Sequence, residues 1–199
     1  MAQPLIVGVG GSTRAGSSSE RVMRACLAAA EQQGARTLAV SGSMLRVPLY
    51  EAEDPARPPA ASQLVAAIRE ADGLIIASPG YHGGISGLMK NALDYVEDLR
   101  DDARPYLDGR AVGCVACAAG WQAAGSTLQA LRAVVHALRG WPTPLGLAVN
   151  TELRLWGADG ELSDPGLTAQ VEILAGQVVE FAHRWGTVPA TTDGARTSA

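Results

Sequence analysis

An apolar run, Leu5–Val9, is followed by Gly10-Gly11-Ser12-Thr13-Arg14-Ala15-Gly16-Ser17-Ser18-Ser19, after which an amphipathic stretch begins. Five hydroxyls and one guanidinium fall within the eight residues 12–19. A loop that runs from a strand into a helix exposes unpaired backbone N–H groups and the positive end of the helix dipole, and both favour an anion. Short hydroxyls and one cation complete a phosphate site, with Ser12, Arg14, Ser17, Ser18 and Ser19 as its candidate ligands. What is missing narrows the phosphate. Gly11-x4-Gly16 opens like a Walker A loop, but Ser17 stands where the lysine belongs, so ATP hydrolysis is not expected. Gly8-x-Gly10 begins a dinucleotide fingerprint, yet Thr13 replaces its third glycine. A monophosphate held by hydroxyls, backbone and Arg14 fits best.

Two further loops carry candidate residues. Ser78-Pro79-Gly80-Tyr81-His82-Gly83-Gly84 combines a rigid start, an aromatic ring, an imidazole and glycines that let backbone approach a flat ligand. His82 is the candidate proton donor. Ala118-Ala119-Gly120-Trp121-Gln122 offers small residues, one large aromatic and an amide, with N–H groups suited to the polar end of a heterocycle. Other constellations are weaker. Cys114-Val115-Ala116-Cys117 lies in an apolar run that reads as a strand, where positions i and i+3 face opposite sides. The two sulfurs should therefore diverge, and with no second such pair and no H-E-x-x-H a metal site is not expected. Three cysteines do not form a disulfide framework and suit a reducing compartment.

The elements that must position these loops are legible from periodicity. Short apolar segments at Leu5–Val9, 36–40, 73–77, 111–118 and 145–150 read as strands, and the stretches between them as helices. One helical stripe is continuous through Ile85, Leu88, Met89, Ala92, Leu93 and Val96, and another runs from Leu167 to Trp185. Residues 41–62 read as a long loop. Alternation of this kind predicts an α/β fold: right-handed crossovers, a five-stranded parallel sheet in the order 2-1-3-4-5, helices on both faces, and a ligand beyond the C-terminal strand ends. The 199 residues are expected to form one domain over residues 1–186, followed by a flexible tail at 187–199. A net charge of −4, with 16 basic and 20 acidic residues and no basic stripe, argues against a nucleic-acid surface. The uncharged N-terminal residues and the short apolar run behind them predict neither a signal peptide nor a membrane span, hence a soluble cytoplasmic protein.

A phosphate cradle at one strand end, beside two flat glycine-rich loops, matches a ligand with one phosphate and a planar ring, namely FMN. The sequence also resembles the NAD(P)H-dependent FMN reductases of flavodoxin-like fold. Their G-S-x-R-x-x-S-x-[NS] loop stands here as residues 11–19, and their S-P-x-Y segment continues through Gly87-Leu88-Met89-Lys90-Asn91-Ala92-Leu93-Asp94. The resemblance implies that Ser12, Arg14, Ser17 and Ser19 bind the FMN phosphate. It also implies that Pro79, Gly80, Tyr81, His82 and Gly83 border the ring, and that Ala119, Gly120, Trp121 and Gln122 meet its pyrimidine end. The implied activity is hydride transfer from NADPH or NADH to flavin N5, with reduced flavin or electrons passed to a small oxidant. A homodimer or homotetramer and a flavin-dependent monooxygenase partner are implied as well. A quinone, azo or nitro reductase and a non-enzymatic flavodoxin-type electron carrier are the competing readings. Arg46 and Arg104 are candidate readers of a nucleotide 2′-phosphate.

Overall fold

A computed structural model describes residues 3–185; the tail expected at 187–199 lies outside the described residues. The chain runs β1 (Leu5–Gly10), α1 (Ser18–Gln32), β2 (Arg36–Val40), α2 (Pro59–Glu70), β3 (Gly73–Tyr81), β4 (Gly84–Ile85) and α3 (Gly87–Asp94). It continues through β5 (Ala111–Ala118), α4 (Trp121–Ala137), β6 (Trp141–Pro142), β7 (Leu147–Asn150) and α5 (Pro165–Trp185). Single 3-10 turns at Gly42–Leu45 and Tyr95–Leu99 interrupt the connections.

The parallel ladder runs β2-β1-β3-β5, and β6 and β7 both pair with β5. With β6 and β7 counted as one interrupted strand, this is the expected 2-1-3-4-5 order. The interruption has a local cause. Pro142 and Pro144 lack the N–H groups a ladder needs, so the chain pairs with the start of β5, swings out, and returns to its end. Thr143 bridges the gap, its N–H donating to Val112 O at 3.0 Å and its hydroxyl to Leu145 O at 2.7 Å.

Sheets covered on both faces need strands that are apolar throughout, and β5 is buried along its whole length. One face packs residues of α2, α3 and α4 around Val7, Leu74, Ile76 and Val112, and the other packs α1 and α5 around Ile6, Ile75, Val115 and Val149. Cys114 belongs to the first cluster and Cys117 to the second, so the pair diverges as its spacing predicts. Burial pushes the thiols of Cys26, Cys114 and Cys117 up to about 12, with the neighbouring Cys117 adding to the effect on Cys26.

Three boundaries differ from expectation. The helix expected after residue 62 begins at Pro59, because proline at the first helical position gives up an N–H that is unpaired anyway. The stripe starting at Ile85 is not one helix: Ile85 pairs in β4, α3 ends at Asp94, and Tyr95–Leu99 tightens into a 3-10 turn. Trp121 and Gln122 stand in the first turn of α4 rather than in a loop.

Candidate functional site

The C-terminal ends of β1, β3, β5 and β7 open onto a cleft of about 590 Å3, lined by Ser12, Thr13, Arg14, Ser17–Ser19, Pro79–Tyr81, Cys117–Ala119 and Thr151. One end is built from the first loop. Ser17 caps α1, its hydroxyl accepting from Glu20 N at 3.4 Å and lying 3.3 Å from Ser19 Oγ. Ser12 Oγ accepts from Arg14 N at 3.1 Å, which turns the loop and leaves the Arg14 side chain exposed at the rim. Glu20 supports the loop from within, accepting from Gly16 N at 3.1 Å, Arg24 Nη2 at 3.0 Å and Ser41 Oγ at 3.0 Å. Burial opposes the charge on Glu20, but these donors prevail and hold its carboxyl below the ordinary value of 4.5. Arg46 braces the loop from outside by donating to Thr13 O at 2.8 Å. With Glu20 N and Arg21 N both bonded to Ser17, the N–H groups of Ser18 and Ser19 are the ones left at the hydroxyl-rich end, which suits a phosphate.

The far side is a hairpin, where a glycine-rich loop was expected. Gly80 pairs with Ile85 and Tyr81 with Gly84, and the turn residues His82 and Gly83 have φ of 52° and 87°. Two positive φ values at the centre of a two-residue turn match the twist of the flanking strands. Ser78 closes the base, its buried hydroxyl accepting from Ser86 N at 3.0 Å, while Ser86 Oγ caps α3. Tyr81 presents its ring at the cleft with 57% of its surface exposed. Behind Ala119, Asn150 Oδ1 accepts from both Gly120 N at 2.9 Å and Glu152 N at 3.0 Å.

The lining brings together Ser12, Arg14, Ser17, Ser18, Ser19, Pro79, Gly80, Tyr81 and Ala119. It does not include His82, Gly83, Gly120, Trp121 or Gln122. His82 and Gly83 form the exposed hairpin tip, the N–H of Gly120 is taken by Asn150, and Trp121 and Gln122 are exposed on α4. Sequence reasoning missed Cys117 and Thr151, which reach the cleft from β5 and from just beyond β7. It also missed Glu20, although Ser17-x-x-Glu20 is a capping-box spacing that signals a helix start. Arg104 donates to Arg69 O at 3.1 Å and Ala71 O at 3.0 Å, at the opposite end of β3 from the cleft, and so is no reader of a nucleotide bound there.

The motif residues Asn91 and Asp94 are architectural. Asn91 pins the segment after β2, donating to Pro48 O at 2.8 Å and accepting from Tyr50 N at 2.9 Å, while Asp94 pairs with Lys90 at 2.6 Å. Acidic residues that follow α3 find partners within the chain, including Asp98 with Arg57 at 2.7 Å and Asp102 with Arg69 at 2.7 Å. Among the described residues no cluster of three or more His, Cys, Asp or Glu could hold a metal ion. No helix there is long and apolar enough to cross a membrane.

The donor set fits FMN: hydroxyls, a guanidinium and a helix N-terminus from the first loop, and the small or apolar residues Pro79, Gly80, Tyr81, Ala118 and Ala119 from the ends of β3 and β5. Residues 4–152 match the family model described as NADPH-dependent FMN reductase. An FMN-dependent NADPH-azoreductase of Staphylococcus aureus is 30% identical over 115 residues, which is 57% of this chain and 57% of that enzyme. Among solved structures, the flavoenzyme NAD(P)H:(acceptor) oxidoreductase FerB from Paracoccus denitrificans superposes with a TM-score of 0.74 at 17% identity, over 92% of this chain and 98% of that one. RosB with a bound riboflavin-phosphate intermediate reaches 0.69 at 18% identity, over 96% and 83%. At such identities the structural likeness establishes the fold.

Proposed function

This chain belongs to the family of NADPH-dependent FMN reductases, and from that premise we propose that it is an NAD(P)H-dependent flavin oxidoreductase working through FMN in the cleft. The observation that carries the reading is the junction of a hydroxyl-and-arginine phosphate loop with a slot walled by Pro79–Tyr81 and Ala118–Ala119. When bound, FMN supplies the hydride chemistry, accepting two electrons from a nicotinamide nucleotide and releasing them to an oxidant.

The chain's own residues then bind and orient. Arg14 and the open N–H groups of α1 neutralise the phosphate, with Ser12 and Ser18 as hydroxyl donors. Glu20 keeps the loop shaped without reaching the ligand itself. Pro79, Gly80 and Ala118 would wall the part of the cleft that takes the ring, and the exposed Tyr81 would border it. Such a mechanism requires no obligatory acid or base, which agrees with the position of His82 at the hairpin tip.

An azo, quinone or nitro compound is the proposed class of final acceptor, in line with the azoreductase relative. A homodimer or homotetramer, a cytoplasmic location and delivery of reduced flavin to a monooxygenase belong to the same proposal.

The test is anaerobic: FMN is mixed with the protein, then with NADPH and separately with NADH, and the oxidised-flavin absorbance is followed. The expected result is tight FMN binding followed by bleaching with at least one nucleotide. Bound flavin that stays yellow with both would convert the reading to an electron carrier, and absence of binding would overturn it.

A further inference from the structure

Gly80 and Thr127 meet behind the hairpin that walls the cleft. The direction a side chain would take at Gly80 points into α4: a Cβ built there would overlap Thr127 Oγ1 and lie 3.1 Å from Ala118 Cβ and 3.2 Å from Thr127 Cβ. Thr127 is fully buried, and its hydroxyl donates to Gly84 O, on the second strand of the hairpin, at 3.4 Å. One hydroxyl therefore fills the space a residue-80 side chain would take and also grips the opposite strand. The outer side of the hairpin is open, with nothing within 4 Å of where a Cβ would stand on Gly83 or Gly84. Its base is closed by Ser78 and Ser86. Lateral support for Tyr81 thus comes from α4, at the level of Thr127.

We infer that Thr127, which does not line the cleft, is the positioning residue of the site. Through Gly80 and the Gly84 carbonyl it sets the distance of the hairpin from Ala118–Ala119, and with it the width of the slot that receives a planar ligand. Close-packed contacts transmit displacement rather than absorbing it, so a methyl group at residue 80 must move the hairpin unless Thr127 gives way. The readout in flavin affinity rests on the proposed cofactor; the contact itself does not.

A double-mutant cycle tests this. FMN affinity, and hydrogen exchange of the amides of residues 81–85, are measured for the parent, Gly80→Ala, Thr127→Ala, Thr127→Ser and the Gly80→Ala/Thr127→Ala pair. Gly80→Ala is expected to weaken FMN binding about tenfold and to speed exchange in the hairpin. In FMN affinity the pair is expected to return to within about threefold of the parent, because the new methyl occupies the volume the hydroxyl vacated. Its hairpin exchange should stay as fast as in Thr127→Ala, which lacks the same bond to Gly84 O. Thr127→Ser, which keeps the oxygen, should match the parent, whereas Thr127→Ala alone should speed exchange. Parent-like behaviour of Gly80→Ala, or an equal loss of FMN affinity in Gly80→Ala and the double variant, would overturn the inference. If the parent binds no FMN, the flavin reading fails, and hairpin exchange still decides the role of Thr127. If Gly80→Ala does not fold, the contrast between Thr127→Ala and Thr127→Ser carries the decision.

Discussion

Arg14 is the residue on which the phosphate argument turns. Its backbone is fixed by the bond from its N–H to Ser12 Oγ, and its guanidinium stands at the rim of the hydroxyl-rich end of the cleft. A charge-assisted bond from an exposed arginine to a phosphate is screened by solvent, so removing it should cost about tenfold in affinity rather than abolish binding. Arg14→Ala should therefore weaken FMN about tenfold and leave riboflavin, which lacks the phosphate, within about threefold. Fluorescence titration of both flavins checks this, and equal losses for the two would place Arg14 at the ring instead. Arg14 and the serines were legible because glycine, hydroxyl and guanidinium cluster within one short segment. Thr151, Asn150 and Thr127 were not. Each owes its place to strand ends and a helix that meet only in three dimensions, and nothing in its immediate neighbours marks it.

The first turn of α1 shows how an element carries a loop. Ser17 caps the helix and Glu20 reaches back to Gly16 N, while Arg24 and Ser41 hold the same carboxylate. Because these donors keep the Glu20 carboxyl below its ordinary 4.5, the folded state binds its proton less readily than the unfolded chain. The stability this contributes is complete above the ordinary carboxylate range and is lost as the pH falls through the lowered value. Glu20→Gln should remove that part of the acid dependence and cost about 1 kcal/mol near neutral pH, or roughly 2–4 °C in melting temperature. Melting curves of both proteins between pH 3 and 7 would converge at the acid end; parallel curves would show that the carboxylate contributes no titrating stability. Periodicity located strands and helices well, since covered strands are apolar and helices carry one apolar stripe. It failed where short-range chemistry competes. Ile85 continues a helical stripe yet pairs in β4, because the His82-Gly83 turn folds the chain back first. The strand read at 145–150 forms as β7, but the short β6 at Trp141–Pro142 was not read, because the prolines at 142 and 144 split the pairing with β5.

At the scale of the molecule, the parallel sheet sends four strand ends to one side, so the cleft is an assembly of four loops that the chain visits in turn. β1 delivers the phosphate loop, β3 the hairpin, β5 Ala118–Ala119, and β7 Thr151. None of these segments is a site by itself, and three of them are anchored from different elements: the first by Glu20 of α1, the second by Thr127 of α4, the third by Asn150 of β7. A ligand spanning all four should therefore tie together regions that otherwise open independently. Saturating FMN, at about one hundred times its dissociation constant, stabilises the folded state by about 2.7 kcal/mol, which corresponds to roughly 5–10 °C for a chain of this size. Slowed hydrogen exchange should appear together at residues 11–19, 79–85, 118–121 and 150–152, with no change at the opposite strand ends around residues 72 and 110. Inorganic phosphate should slow exchange in the first segment alone, since the proposed reading assigns the phosphate to that segment and the ring to the other three. Protection by FMN that stays confined to residues 11–19 would mean that the ring lies outside the cleft, and the slot between the hairpin and β5 would then need a different ligand.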